Sequence, residues 1–486
     1  MVGIVSFGGY VPRLRLDRKA IMQSMGWFAP QLGGSAQGER SMSNWDEDAL
    51  TMAVAAGRDC LVGQDKSKID AVYMASTTMP FSDRDNAGVL KAALNLHDQI
   101  TCADFATTMK SGTTALITAL ESAKGGEKGQ ILVAAADNRR TKSASVQEMW
   151  YGDGAGALLV GGENVVAEFL GSFSLSYDFV DHYRGATSKF DYNWEERWIR
   201  DEGYSKIYPE LIAGILDKTD MNIKDVTRLI YPCVFERVHS ALPKIVGASR
   251  EQVPGNMHEE TGECGTAHPF VMLNRELETA RPGDVLLVAG YGQGGDALMF
   301  RVTDRINSLP ERVGISGCLA RKKVEKTYTK WLQFNELIET EMGARAEVSN
   351  RTGLSILWRE RKLILGFVGG RCKACGTPQI PSDRICVNPR CGAIDSQEEY
   401  EFADRPAKIL TFTGDNLAAS LDPPSIYGIV QFDDGGRMMM EFTDCTLDDV
   451  EVGVPMRPVF RKKYYDKERG FTGYFWKAIP LAVKEK

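Results

Sequence analysis

Short, continuously apolar runs alternate with longer amphipathic stretches from Met1 to about Asp304. Ala71-Val72-Tyr73-Met74, Ile131-Leu132-Val133-Ala134 and Val285-Leu286-Leu287-Val288 are examples of the runs. Each is apolar at every position, not at every second one, which predicts strands buried on both faces of a sheet flanked by helices. Asp46-Glu47-Asp48 predicts the start of a helix through Cys60, with acidic side chains at the positive end of its dipole. The fold class expected for this region is therefore layered α/β. The pattern changes after Arg301-Val302-Thr303. Residues 305–325 read as a linker and 326–365 as a helical segment rich in Lys, Glu and Leu. A cysteine-rich stretch occupies 366–395. Residues 396–486 carry short strands with turn signals such as Asp433-Asp434-Gly435-Gly436, the pattern of a small β-barrel. There is no tandem repeat and no low-complexity segment.

At 486 residues the chain exceeds what one hydrophobic core supports, in keeping with several domains. Forty-three per cent hydrophobic and 25% charged residues describe an ordinary globular protein. The net charge of −7 argues against nucleic acid as a partner, while leaving room for a local basic patch that pairs with phosphate. Met1-Val2-Gly3-Ile4-Val5 lacks the basic start and long apolar core of a signal peptide. No apolar run reaches the roughly 18 residues of a membrane span. Of ten cysteines, four cluster and six lie scattered in apolar surroundings. That usage fits a reducing cytoplasm and one metal site, not a disulfide framework.

The cluster is Cys372-Lys373-Ala374-Cys375 followed by Cys386-Val387-Asn388-Pro389-Arg390-Cys391. Two knuckles bringing four thiolates together suit the tetrahedral preference of Zn²⁺, and closed four-sulfur sites of this type are structural. Iron is the alternative occupant; unmetallated or redox-active cysteines are the other reading. The ribbon followed by a barrel resembles a family once catalogued as a domain of unknown function (DUF35), in which a rubredoxin-like zinc ribbon is joined to an OB-fold. The resemblance covers roughly residues 330–484. It implies a module that accompanies thiolase-like enzymes and contributes to complex assembly and to the acyl-CoA site.

Four N-terminal segments resemble hydroxymethylglutaryl-CoA synthases and the type III ketoacyl synthases, in the order those families have them. They are Gly3-Ile4-Val5-Ser6-Phe7-Gly8-Gly9-Tyr10-Val11-Pro12-Arg13, Trp45 to Ala53, Tyr151-Gly152-Asp153-Gly154-Ala155-Gly156-Ala157 and Tyr291-Gly292-Gln293-Gly294-Gly295-Asp296-Ala297. The resemblance implies a duplicated α/β/α/β/α thiolase fold, a coenzyme A thioester as substrate, and a homodimer or higher homo-oligomer. Backbone N–H groups of such glycine loops can stabilise an oxyanion, so Gly294 and Gly295 become candidate loop residues. For Gly154 and Gly156 a tight turn is an equal reading.

The chain departs from these families where their chemistry resides. They attack the thioester with a cysteine at a helix N-terminus, where the dipole lowers its pKa. In Ala103-Asp104-Phe105-Ala106-Thr107-Thr108-Met109-Lys110-Ser111 that position is Met109, whose thioether forms no releasable thioester. Thr77 stands at the position of the family's acid/base glutamate. Val238-His239-Ser240 resembles the histidine segment, and in Gly262-Glu263-Cys264-Gly265-Thr266-Ala267-His268 it is Glu263 that replaces asparagine. His239, Glu263, His268 and Tyr291 are the candidate proton carriers. Each has a bland alternative: a core histidine, an ion pair, or packing beneath a loop. The expected activity is aldol or retro-aldol chemistry on a β-hydroxyacyl-CoA without an acyl-enzyme. It resembles that of the cysteine-less thiolase-like aldolases that work with the same ribbon-barrel partner, such as those cleaving steroid side chains. A Claisen-type acyltransferase, with Cys264 or another cysteine as displaced nucleophile, is the first alternative. A CoA-binding scaffold without catalysis is the second.

Overall fold

A computed structural model describes residues 1–126, 129–346 and 351–481. The chain divides into two compact units. The first holds residues 1–43, 48–90 and 96–337; the second holds 338–486 together with the short segments 44–47 and 91–95.

The first unit is organised by one nine-stranded sheet. Its order is Arg228–Ile230, Val285–Tyr291, Gly294–Val302, Ala167–Ser176, Gly3–Tyr10, Gly154–Gly161, Gln130–Asp137, Ile69–Ala75, Thr101–Phe105. The expected runs at 71–74, 131–134 and 285–288 all lie in these strands, and Gln130–Asp137 and Val285–Tyr291 are buried at every position. The duplication is visible in the pairing. Gly3–Tyr10 and Ala167–Ser176 meet antiparallel at the centre. Outward from each runs an antiparallel partner, then a further antiparallel strand, then a parallel one.

Helix Ala49–Cys60 packs on the central strands, and close approach there requires glycine: a Cβ on Gly8 would lie 2.1 Å from the backbone N of Cys60. Asp48 caps this helix by accepting from the N–H of Thr51 at 2.9 Å, while the Thr51 hydroxyl accepts from the Asp48 N–H, a reciprocal capping box. Of the three acidic residues expected at this start, only Asp48 serves the helix. Asp46 and Glu47 belong to the second unit and pair with buried Arg461.

The stretch expected as a linker is structured. Helix Gly314–Ala320 receives Asp59 at its start, which accepts from the N–H groups of Val313 (2.9 Å) and Gly314 (3.1 Å). Strand Lys323–Glu325 pairs in parallel with Leu14–Asp17. These local bonds integrate residues that composition alone marked as a connector. The helical segment expected over 326–365 is likewise split: Tyr328–Phe334 belongs to the first unit, Leu354–Arg359 and Arg361–Ile364 to the second. Residues 347–350 of that segment, and 482–486 of the expected barrel, lie outside the described residues.

In the second unit, Val368–Cys372 pairs with Pro378–Gln379 and Gln397–Glu401 to form the ribbon. A five-stranded antiparallel sheet follows, ordered Arg437–Glu441, Ser425–Phe432, Ala407–Asp415, Pro455–Asp466, Phe471–Pro480. Alternate residues of Ser425–Phe432 are buried, the pattern of a strand covering one side of a barrel. Phe367, Phe402, Phe432 and Trp476 fill its core, with Phe367 stacked on Trp476 at 5.5 Å. The Asp433-Asp434-Gly435-Gly436 turn is present, both glycines at positive φ.

Candidate functional site

Strand Thr101–Phe105 ends in a turn, with Thr107 at φ +76°, that delivers Met109 just ahead of helix Ser111–Lys124. The Ser111 hydroxyl closes the turn by donating to the Ala106 carbonyl at 2.9 Å. Asp296 fixes the helix start from the other side, accepting from the hydroxyls of Thr113 (3.0 Å) and Thr114 (2.6 Å) and facing Lys110 at 3.4 Å. The loop after Val285–Tyr291 lies directly against Met109. Thr108 donates to the Gly292 carbonyl at 2.9 Å, and a Cβ on Gly292 would lie 2.9 Å from the Met109 backbone N. Gly292, not Gly294 or Gly295, is thus the glycine that lets the loop reach the turn. Gly294 instead makes room for the Leu175 carbonyl, and Gly295 packs near Leu211.

Glu263 reaches the site through its backbone. It donates to the Trp150 carbonyl at 2.7 Å and accepts from the Gly152 N–H at 3.0 Å, where a Cβ on Gly152 would collide with the Thr261 carbonyl, 1.8 Å away. The Glu263 carboxylate pairs with Arg139, and both side chains are almost fully buried (7% and 2% exposed). Arg139 also donates to the Glu263 carbonyl at 3.2 Å, lies 3.5 Å from the centre of the Tyr151 ring, and points Nη1 at the Met109 sulfur, 3.6 Å away. Burial opposes the charge on this guanidinium, but Glu263, Tyr151, Asp191 and Asp137 outweigh it and hold the pKa above the ordinary value. Behind it, Asp137 gathers the loop that carries Thr77. It accepts from Ser76, from both the N–H and hydroxyl of Thr77, from Thr78 and from the Thr266 N–H.

Met109, Arg139, Tyr151, Glu263 and Tyr291 line a cavity of about 50 Å³, several times what one water requires. Trp150, Tyr204 and Phe235 supply apolar walls. Tyr291 stacks on Tyr204 at 4.1 Å, and its buried hydroxyl has no hydrogen-bond partner. Burial pushes its pKa upward, so it remains a neutral phenol with a proton to donate. Asp181, His182 and Asn193 complete the polar lining.

Of the proton carriers expected from sequence, Glu263 and Tyr291 meet in this cavity; His239 and His268 are not among its lining residues. His239 lies one turn inside helix Glu236–Val246 and packs on Tyr231 at 4.7 Å, its buried Nε2 without a hydrogen-bond partner. Burial lowers its pKa to about 4, so it is neutral. His268 requires a correction. Its Nδ1 accepts from the Cys264 N–H at 3.1 Å, which leaves Nε2 to donate to the Asn256 carbonyl at 3.0 Å. Both ring nitrogens are spent on backbone, as in a structural core histidine. Cys264 is fully buried, with its thiol pushed up to about 12 by burial and by Glu263, and it does not line the cavity. Sequence reasoning missed Arg139, Asp181, His182 and Asn193. The first belongs to no quoted motif, and the others lie on a hairpin with no family-like segment.

The four cysteines of the second unit converge. All four sulfurs lie within 4.8 Å of one another, with Cys372–Cys391 at 3.9 Å and Cys375–Cys386 at 3.6 Å. A Zn–S bond of about 2.3 Å gives tetrahedral S···S edges of about 3.8 Å, so the set fits a Zn²⁺ ion. Such an ion would cross-link the two knuckles.

Residues 400–461 match the family described as "ChsH2, C-terminal OB-fold domain". The chain is 26% identical over 344 residues to a hydroxymethylglutaryl-CoA synthase of Caldivirga maquilingensis, covering 70% of this chain and 98% of that protein. It is 28% identical over 338 residues to the synthase of Methanosarcina mazei, covering 68% and 97%. Among solved structures, a hydroxymethylglutaryl-CoA synthase complexed with CoA superposes with a TM-score of 0.62 at 18% identity, over 72% of this chain and 94% of that one. A 3-oxoacyl-[acyl-carrier-protein] synthase III from Aquifex aeolicus gives 0.55 at 18% identity, over 62% and 100%. The chain therefore joins a thiolase fold, similar in sequence to hydroxymethylglutaryl-CoA synthases, to a four-cysteine ribbon and an OB-fold barrel similar to the C-terminal domain of ChsH2.

Proposed function

We propose that this chain is an acyl-CoA enzyme of the thiolase superfamily that makes or breaks the carbon–carbon bond beside the thioester by aldol or retro-aldol chemistry, without an acyl-enzyme. The observation that carries this reading is the occupant of the cavity. Where a thiol nucleophile would stand there is the Met109 thioether in contact with Arg139, and no cysteine lines the cavity. In the cleavage direction, a base takes the hydroxyl proton of a β-hydroxyacyl-CoA. The Cα–Cβ bond breaks, a carbonyl compound leaves, and the electron pair moves into the thioester as an enolate. Proton return to Cα gives the shortened acyl-CoA. Arg139 and the Tyr291 phenol supply positive charge and a hydrogen-bond donor to the enolate oxygen, and Glu263 keeps Arg139 aimed at it. Incubation with radiolabelled acyl-CoA tests the reading: no adduct survives denaturation, whereas an acyl group retained on any cysteine would overturn it.

A Claisen-type acyltransfer is the second reading, favoured by the similarity to hydroxymethylglutaryl-CoA synthases. The same labelling experiment separates the two. The catalytically silent scaffold is set aside if Tyr291→Phe lowers turnover. The proposal includes a structural Zn²⁺ on Cys372, Cys375, Cys386 and Cys391. It also includes a homodimer through Thr101–Phe105, an edge strand of the nine-stranded sheet with exposed positions. Ten cysteines free of disulfides suit a cytoplasmic setting. Among the described residues, no helix is long and apolar enough to cross a membrane.

A further inference from the structure

We infer that His182 is the proton carrier of this site and that Asp181 is its positioning residue; the inference rests on the reaction class proposed above. His182 opens a two-residue strand, His182–Tyr183, paired antiparallel with Tyr192–Asn193, so that His182 lies opposite Asn193 and both face the cavity. The hairpin is tied down on every side. Arg184 pairs with Asp191 at 2.8 Å and donates to the Thr77 carbonyl, the Trp194 N–H donates to the Asp181 carbonyl at 2.9 Å, and Tyr151 donates to Asn193 at 3.5 Å. Asp181, itself buried, accepts from the His182 backbone N–H at 2.8 Å and lies 3.0 Å from its Nδ1.

The carboxylate 3.0 Å from Nδ1 favours the tautomer that carries its proton there, with the lone pair on Nε2. Nε2 has no protein partner and is not among the buried, solvent-excluded polar atoms, which leaves it to meet a ligand in the cavity. The charged groups around the ring are Asp181, Asp191 and Arg139. Burial and Arg139 oppose the imidazolium, but Asp181 outweighs them and the His182 pKa is raised.

The rival carriers are less suited. Glu263 has its carboxylate engaged with the Arg139 guanidinium. Tyr291 is a donor only. In the cleavage direction Nε2 takes the substrate hydroxyl proton as the Cα–Cβ bond breaks. The resulting imidazolium, stabilised by Asp181, returns that proton to the enolate carbon. No other reactant is needed, and the histidine ends as it began.

The test uses the half-reaction on the acyl-CoA side: exchange of Cα protons of acetyl-, propionyl- and butyryl-CoA with D₂O, followed by mass spectrometry on the full-length protein. The wild type exchanges at least one of them. His182→Gln loses about 100-fold or more, with CoA affinity by calorimetry within threefold. Asp181→Asn moves the acidic limb of the exchange–pH profile to lower pH, because the neighbour that raises the imidazole pKa has lost its charge. If His182→Gln exchanges at the wild-type rate, the inference fails and the reaction class stands. If the wild type exchanges none of the three, the reaction class fails and takes the inference with it. An unmoved limb in Asp181→Asn overturns the positioning role. Should His182→Gln not fold, diethylpyrocarbonate on the wild type replaces it: exchange is lost in step with modification at His182, and loss in step with exposed His97 alone would overturn the assignment.

Discussion

Arg139 and Glu263 form a buried ion pair in the wall of a cavity, and the consequence of breaking it depends on which partner is removed. Arg139→Met strands the Glu263 carboxylate in a site that is only 7% exposed. It also removes the cation beside Asp137, whose carboxyl is already pushed up by burial. Breaking a buried pair in this way costs about 3–5 kcal/mol. Glu263→Gln is milder: the amide oxygen still accepts from the guanidinium, and Arg139 keeps the Tyr151 ring and the Glu263 carbonyl, so the loss is about 1–3 kcal/mol. Removing both charges with Arg139→Met and Glu263→Gln together leaves no buried charge orphaned. The double variant should therefore recover at least about 2 kcal/mol of the summed single losses. Urea unfolding followed by tryptophan fluorescence reads the first unit through Trp150, which lines the cavity. With a slope of about 3 kcal/mol per molar, Arg139→Met lowers the midpoint by about 1 to 1.7 M. An equal or larger shift for Glu263→Gln, or additive losses in the double variant, would refute the assignment of Arg139 as the hub.

The orphaned hydroxyl of Tyr291 predicts that Tyr291→Phe leaves the unfolding midpoint unchanged or raised while lowering kcat about 10- to 100-fold; a lower midpoint with full turnover contradicts it. Because Asp181 raises the folded-state pKa of His182 above its usual value of about 6.5, their pairing stabilises the fold fully below that pH. The contribution fades as pH rises through the folded value. Asp181→Asn should accordingly cost more stability at pH 6 than at pH 9, and a cost independent of pH would count against the pairing. The ribbon should carry one Zn²⁺ per chain by elemental analysis. Cys375→Ser or strong chelation should unfold the second unit's ribbon strands without removing the first unit's transition, and full metal content in Cys375→Ser would disprove the ligand set.

Periodicity made the sheet legible, because strands such as Gln130–Asp137 and Val285–Tyr291 are buried on both faces and so apolar at every position. The cysteine spacing made the ribbon legible for an equally local reason: two knuckles suffice to converge four sulfurs. The site was legible only where a chain segment carries its own signature. Met109, Glu263 and Tyr291 fall in segments that resemble known ones, and they meet. Arg139 does not, because its role arises from a carboxylate 124 residues away. His182 and Asp181 lie on a hairpin whose inward face is set by Arg184, Asp191 and Thr77, contacts that no local pattern announces. His239 and His268, expected in the same site, are not among the residues that line the cavity. A histidine in a family-like segment invites a chemical reading, yet the His239 ring packs on Tyr231, and a backbone N–H and carbonyl consume both nitrogens of His268.

The departures from the related synthases form one consistent set. On the proposed reading, a thioether at position 109 leaves no acyl-enzyme and no need for a thiolate. A carboxylate at 263 introduces a negative charge that its burial alone would not tolerate, and Arg139 supplies the counter-charge while bringing Nη1 to the Met109 sulfur. The Met109 sulfur thus faces a fixed cation, which suits an oxyanion delivered by substrate instead of an anion borne by the protein. Thr77, at the position of the missing acid/base glutamate, has its hydroxyl and N–H bound to Asp137, so it is a structural group and the proton must move elsewhere. The hairpin bearing His182 and Asp181 is anchored on the carbonyl of that same Thr77. On the proposed reading, the threonine that stands in place of a glutamate and the carboxylate-paired histidine thus meet through one contact, which is the arrangement expected when His182 carries the acid/base function.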